Sequence, residues 1–223
     1  MKVQVDAVLF DLDGTILDSI GIYYQIIEIV LKRLDIPMPS KDKIRDAAKN
    51  GDFEWDQMYP GKTPKEKALL FKEIRGIIDE IYPTLFGSQA KLITNAKEAL
   101  ETISQKGIKL GIVTSTPREN MKIKLYPLVD SGIKDLMEVI ITADDAPRKK
   151  PAPDPLIESC KRLGILPKHA MYVGDSRTDI QAGKAAGMKT VGVLTGFDNR
   201  ETLGRENPDA IIDSIADLKN ILV

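Results

Sequence analysis

Ala7-Val8-Leu9-Phe10-Asp11-Leu12-Asp13-Gly14-Thr15 is the stretch on which the reading of this chain turns. Four apolar residues run together and stop at a carboxylate. A short apolar run bounded in this way reads as a strand buried on both faces, the strand type of a parallel sheet. Asp11 then stands at the strand's C-terminal end, the edge where open α/β sheets take their ligands. Asp13 follows two residues on, and Gly14 lets the chain turn and its backbone approach a ligand. Two carboxylates held this close need a cation or a shared proton. The competing account is an Asp-Gly turn with a helix cap, for which Asp and Thr are both suited. A chance D-x-D-G-T in a chain of this length is expected about a few times in a thousand.

Outward from this stretch the chain alternates short apolar runs with amphipathic segments. Ile108–Val113, Glu138–Thr142, Ala170–Val173 and Thr190–Leu194 read as further buried strands. Ala96–Gln105, Leu156–Leu163 after Asp154-Pro155, and Ser176–Ala186 read as helices, with Gly107, Gly164 and Gly187 just beyond their ends. Strand, helix and strand at this spacing predict an α/β fold, a doubly wound parallel sheet of Rossmann-like type. The stretch from Ile16 to Ser88 breaks the rhythm. It has no convincing strand, and Ile20, Tyr23, Ile27, Val30 or Leu31, and Leu34 recur at helical spacing, as do Leu70, Ile74, Ile77 or Ile78, and Ile81. About 70 residues of helix are too many for a crossover. They predict an α-helical insert, 16–88, in a core domain made of 1–15 and 89–223. The alternative is a set of extra helices packed on the sheet.

Composition narrows the chemistry. Hydrophobic residues are 43% and charged residues 29% of 223, enough apolar material for a real core. Lys plus Arg is 32 against 33 for Asp plus Glu, so no basic footprint for nucleic acid is visible. Cys160 and His169 are single, which excludes a Cys/His zinc site and an internal disulfide and points to a reducing compartment. Any metal must be held by oxygen. The longest uncharged stretch, Ile81–Ala90, holds Pro83 and Gly87 and falls far short of the roughly 18 apolar residues of a membrane span. The N-terminus meets two aspartates before a signal-peptide core could develop. A cytoplasmic protein with no membrane partner is expected, as monomer or homodimer.

Three other strand ends carry reactive groups. Gly174-Asp175-Ser176-Arg177-Thr178-Asp179 adds two carboxylates. Ser176 and Asp179 have the spacing of a capping box, whereas Asp175 has no such local account and is best explained by metal binding. Lys150, in Arg148-Lys149-Lys150-Pro151-Ala152-Pro153, is a cation that could neutralise Asp11, with Lys149 as its rival and plain solvation as the bland account. In Thr114-Ser115-Thr116-Pro117, Thr116 to Glu119 reads as a capping box with Pro117 opening a helix. That leaves Thr114 and Ser115 free to meet a phosphoryl oxygen. Together these ends describe a magnesium site for phosphate chemistry, with a carboxylate nucleophile.

The motifs resemble those of the haloacid dehalogenase superfamily in its phosphatase branch: Asp11–Thr15, Ile112–Ser115, Lys150 before Pro-Ala-Pro, and Gly174–Asp179, in family order over nearly the whole chain. The insert is placed like that branch's small helical cap. The resemblance implies that Asp11 attacks phosphorus and that Asp13 protonates the leaving oxygen and then activates water. It implies Mg2+ on Asp11, Asp175 and the Asp13 carbonyl, with Asp179 as ligand or support. Thr114, Ser115, Gly14 and Thr15 would meet phosphate and Lys150 would stabilise its charge. Asp13 argues for phosphate esters, since carbon–halogen cleavage needs no acid. Leu17-Asp18-Ser19 and Val193–Phe197 look most like phosphoglycolate phosphatase-type enzymes, so the implied substrate is a small phosphorylated metabolite. Ser115 and Lys149 depart from that pattern, where asparagine and glycine are common. In the cap, Arg45 and Lys49 could meet a substrate carboxylate or be a solvated face, and Phe53, Trp55 and Tyr59 could line the cleft or simply pack. The rivals are a phosphosugar mutase, disfavoured because the cap has no histidine, and a non-enzymatic phosphate-binding module, disfavoured because an inactive scaffold would be expected to have lost at least one acidic group and none is missing.

Overall fold

The computed structural model describes residues 3–47, 53–58 and 63–222. Six strands, β1 (Ala7–Phe10), β2 (Lys109–Val113), β3 (Met137–Ile141), β4 (Ala170–Gly174), β5 (Lys189–Val193) and β6 (Ala210–Ile212), form one parallel sheet in the order β3-β2-β1-β4-β5-β6. β1 is central, paired in parallel with β2 and β4, and buried along its length. Its residues alternate between two cores. Val8 and Phe10 join one with Leu100, Ile112 and Val173, while Ala7 and Leu9 join the other with Leu156, Cys160 and Tyr172. Apolar side chains on both sheet faces are what an apolar run without alternation requires. The five expected strands are present. β6 is additional, a half-buried edge strand of three residues.

α4 (Ala96–Gln105), α7 (Asp154–Leu163) and α8 (Arg177–Ala185) are the three helices expected between strands. Gly164 ends α7 at φ +68°, a left-handed position natural to glycine. Cys160 is buried in α7, and burial pushes its thiol up to about 11. The expected capping box at Thr116 is not formed. Pro117 precedes a 3-10 turn, Arg118–Asn120, and the helix α5 (Met121–Lys124) begins only after it, followed by α6 (Tyr126–Asp130). Asp144, from the loop after β3, accepts from the Arg118 N–H at 2.7 Å, and the Thr116 hydroxyl turns inward instead.

Between β1 and β2 the chain is helical, with α1 (Ile20–Arg33), α2 (Lys41–Ala47) and α3 (Pro64–Gln89). Thr63 caps α3 reciprocally with Glu66, and Pro64 opens it. Ile74, Ile77, Ile81, Tyr82 and Phe86 form its buried stripe, which packs on Ile22, Ile26 and Val30 of α1. The stripe of α1 is wider than its spacing suggests, because Ile27 and Leu31 face Ile44 of α2 on another side. Ile20, Tyr23 and Leu34 are therefore only half-buried. The chain enters and leaves this block along adjacent segments: Ile93 N donates to Ile16 O at 2.8 Å and Asp18 N to Lys91 O at 2.9 Å. Among the described residues no helix is long and apolar enough to cross a membrane. α9 (Arg200–Arg205) lies between β5 and β6.

Candidate active site

Asp11 is fixed by the sheet. Its N–H donates to Val173 O at 2.9 Å, continuing the parallel ladder one residue past β1. Its side chain is buried, and Lys150 Nζ donates to Oδ1 at 2.7 Å. The same ammonium donates to Asp179 Oδ1 at 2.7 Å and to the Tyr172 hydroxyl at 2.9 Å. Burial separates the neighbouring lysines: Lys150 is 5% exposed and bridges two carboxylates, whereas Lys149 is on the surface.

Asp175 follows β4 directly. Its Oδ2 accepts from the Phe197 N–H at 2.8 Å. Two glycines make room for it. A Cβ on Gly196 would lie 1.7 Å from Asp175 Oδ2, and one on Gly14, whose φ is +71°, would lie 2.7 Å from it. Asp11, Asp175 and Asp179 are all buried and bring carboxylate oxygens within 4.8 Å of one another. The oxygens of Asp179 already have protein partners. Lys150 and Tyr172 hold Oδ1, and Ser176 holds Oδ2 through its N–H and its hydroxyl, so the expected capping box is formed.

Asp13 is held on one side only. Lys124 Nζ and the Thr116 hydroxyl meet Oδ2, while Oδ1 is buried without a partner among the described residues. Thr15 and Ser115 likewise have buried hydroxyls without partners. The Thr114 hydroxyl is engaged with Thr116, donating to its Oγ1 and accepting from its N–H, both at 3.1 Å. Arg45 of α2 pairs with Asp42 at 2.9 Å. Phe53 and Trp55 pack edge to face at 4.6 Å in the helical block. Lys49 and Tyr59 lie outside the described residues.

The charges do not balance. With every group ionised, Asp11, Asp13, Asp175 and Asp179 face, among the described residues, only Lys150 and Lys124. Burial, reinforced by Asp179 and Asp13 and opposed by Lys150, pushes the Asp11 carboxyl up to about 7. Burial, then Asp179 and Asp11, holds Asp175 well above the usual carboxylate range. Burial disfavours the Lys150 ammonium, but Asp11 and Asp179 outweigh it and keep it protonated. Buried carboxylates in excess, glycine-lined space at Asp175 and oxygen as the only donor type fit a divalent cation such as magnesium.

That fit has a measurable consequence. Asp11 carries its proton to higher pH in the folded chain than in the unfolded one, so its contribution to stability falls as pH rises from about 4 to about 7. A cation competes with that proton. Magnesium should therefore raise Tm more well above pH 7 than at about pH 5. Gly196→Ala, which drives a methyl into Asp175, should remove most of that gain. Differential scanning calorimetry with and without magnesium checks both.

Lys124, Tyr23 and Tyr172 carry no motif, and sequence reasoning missed them. Lys124 had one signal: Met121, Lys124 and Leu128 are spaced as one helical face, and all three are buried.

Comparison with known proteins agrees with this geometry. The family model of haloacid dehalogenase-like hydrolases matches residues 8–193. The phosphoglycolate phosphatase of Escherichia coli strain K12 is 31% identical over 96% of this chain and 91% of its own. A crystal structure of a predicted phosphoglycolate phosphatase from Haemophilus somnus superposes with a TM-score of 0.79 at 27% identity, covering 98% of both chains. CbbY from Rhodobacter sphaeroides, in complex with phosphate, shares the fold with a TM-score of 0.76 at 19% identity over 96% of each chain. The chain belongs to the haloacid dehalogenase-like hydrolase family and is a phosphoric monoester hydrolase of that family.

Proposed function

We propose that this protein hydrolyses the phosphate monoester of a small metabolite, with magnesium, through an aspartyl-phosphate on Asp11. The carrying observation is Asp11 itself, buried at the end of the central strand, held through Oδ1 by Lys150 and lying beside the acidic oxygens of Asp175. Asp11 attacks phosphorus as the bond to the leaving oxygen breaks, and Asp13 donates a proton to that oxygen. Asp13 then takes a proton from the water that attacks the aspartyl-phosphate, releasing phosphate and restoring Asp11. The metal, held by Asp11, Asp175 and the Asp13 carbonyl, would offset repulsion between nucleophile and phosphate. Asp179, with both oxygens occupied by protein groups, positions Lys150. Ser115 and Thr15, with hydroxyls unpartnered among the described residues, would bind phosphoryl oxygens, and Thr114 would join them by turning its hydroxyl away from Thr116. The Gly14 N–H already donates to Leu17 O at 2.8 Å, which leaves Gly14 to shape the turn.

The helical block, 16–88, would serve as the cap over the core of 1–15 and 89–223. Tyr23 and Tyr24 of α1 reach Phe197 of the core, ring centroids 6.0 and 6.1 Å apart, and roof the site with aromatic surface. Such a cover would exclude water from the reacting groups. Phosphoglycolate is the first substrate to try, from the name its relatives carry. Arg45, and Lys49 beyond the described residues, would meet an anionic leaving group. The Asp42 partner of Arg45 is 82% exposed, so exchanging it costs little. Phosphate release from a panel of small phosphorylated metabolites, phosphoglycolate included, tests the reading. Release should need magnesium and stop on chelation. No release from any member, or full activity after rigorous chelation, would count against it.

A further inference from the structure

Lys124 is a buried ammonium outside the family motifs, 1% exposed on α5. A lysine so deep is tolerable only when its charge and its donors are matched. Here they are. Nζ contacts Asp13 Oδ2, donates to Thr116 Oγ1 at 2.8 Å and to the Tyr23 hydroxyl at 2.5 Å, and lies 5.1 and 5.0 Å from the ring centroids of Tyr23 and Phe86. An ammonium has three donors, and all three are used, so none is left for substrate. The effect falls on Asp13. One of its oxygens is clamped, and the other, Oδ1, is buried with no partner among the described residues.

We propose that Lys124 is the positioning residue of the acid–base group. It fixes the Asp13 carboxyl so that Oδ1 is the oxygen that exchanges a proton with the leaving group and then with water. The clamp has two sources. Lys124 and Thr116 come from the core, and Tyr23 comes from α1 of the helical block. Lys124 therefore completes its shell only when α1 is seated on the core, which ties seating of the block to placement of the proton donor. The inference rests on the phosphatase reading above.

Leaving-group dependence tests it. An alkyl phosphate monoester needs a proton on its leaving oxygen, whereas p-nitrophenyl phosphate does not. The first step is followed in single turnover with enzyme in excess and magnesium present, reading release of alcohol or nitrophenolate. Wild-type protein should release both; release of neither would defeat the phosphatase reading itself. In Lys124→Met the ratio of alkyl to aryl rates should fall about thirtyfold or more, the scale of a misplaced general acid. Lys124→Arg should restore part of the ratio. Tyr23→Phe, which keeps the ring packing, should lower it in the same direction and decides the matter if Lys124→Met does not fold. A purely structural role would slow both substrates alike, and an unchanged ratio would overturn the proposal.

Discussion

Replacing Asp11 by Asn is expected to lower kcat about ten-thousandfold or more, the scale on which losing a covalent nucleophile is felt. The substitution is close to isosteric. The amide oxygen can still accept from Lys150, now at 2.7 Å from Oδ1, so the site should keep its shape. What goes is the electron pair that bonds to phosphorus. Stability should not fall with it. The Asp11 carboxyl is pushed up to about 7 because burial and neighbouring carboxylates make its charge costly there. Removing that charge relieves the cluster wherever the wild-type residue would be ionised, so well above pH 7 and without metal the variant's Tm should match or exceed wild type. Steady-state kinetics and calorimetry on one preparation check both halves. Near-wild-type turnover would remove Asp11 from the mechanism.

Lys150→Met should be the most damaging single change to the fold of the site. The ammonium is 5% exposed and bridges Asp11 and Asp179, with Asp175 in the same cluster. Methionine fills much of the stem volume but leaves those carboxylates without their cation. Breaking a buried ion pair from one side costs about 3–5 kcal/mol, which in a chain of this size lowers Tm by roughly 10 °C. Turnover should fall too, since the charge facing nucleophile and phosphate is lost. The loss of stability should grow with pH, because protonated carboxyls tolerate the missing lysine and ionised ones do not. Magnesium should return more stability to the variant than it adds to wild type. Urea unfolding across that pH range, with and without magnesium, reads all of this; a loss below about 1 kcal/mol would show that the bridge carries little.

The sheet and its reactive edge were legible because parallel strands are written as apolar runs with polar residues at their ends. Asp11, Asp175 and Lys150 each directly follow or lie soon after such a run, and the fold brings the three together. β6 escaped because a three-residue, half-buried strand between Asp209 and Asp213 has too few apolar positions to stand out. Thr116 was misread for a physical reason: its spacing to Glu119 fits a cap, but a buried Lys124 competes for the hydroxyl and Asp144 takes over the capping. Lys124 itself lies in Met-Lys-Ile-Lys beside a surface lysine, where charge suggests solvent and only the spacing to Met121 and Leu128 says otherwise. The buried face of α1 depended on two partners, α2 and α3, whose directions no local pattern encodes.

The most direct measurement is the fate of phosphorus within one turnover. Protein is mixed with a turned-over monoester and magnesium, quenched in acid at successive times, and mapped by peptide mass. The expected result is a phosphoryl group on Asp11 that rises before free phosphate, vanishes with time and is absent after chelation. Phosphate formed with no phosphoryl on the protein at any time, or with one on another residue, would contradict the account.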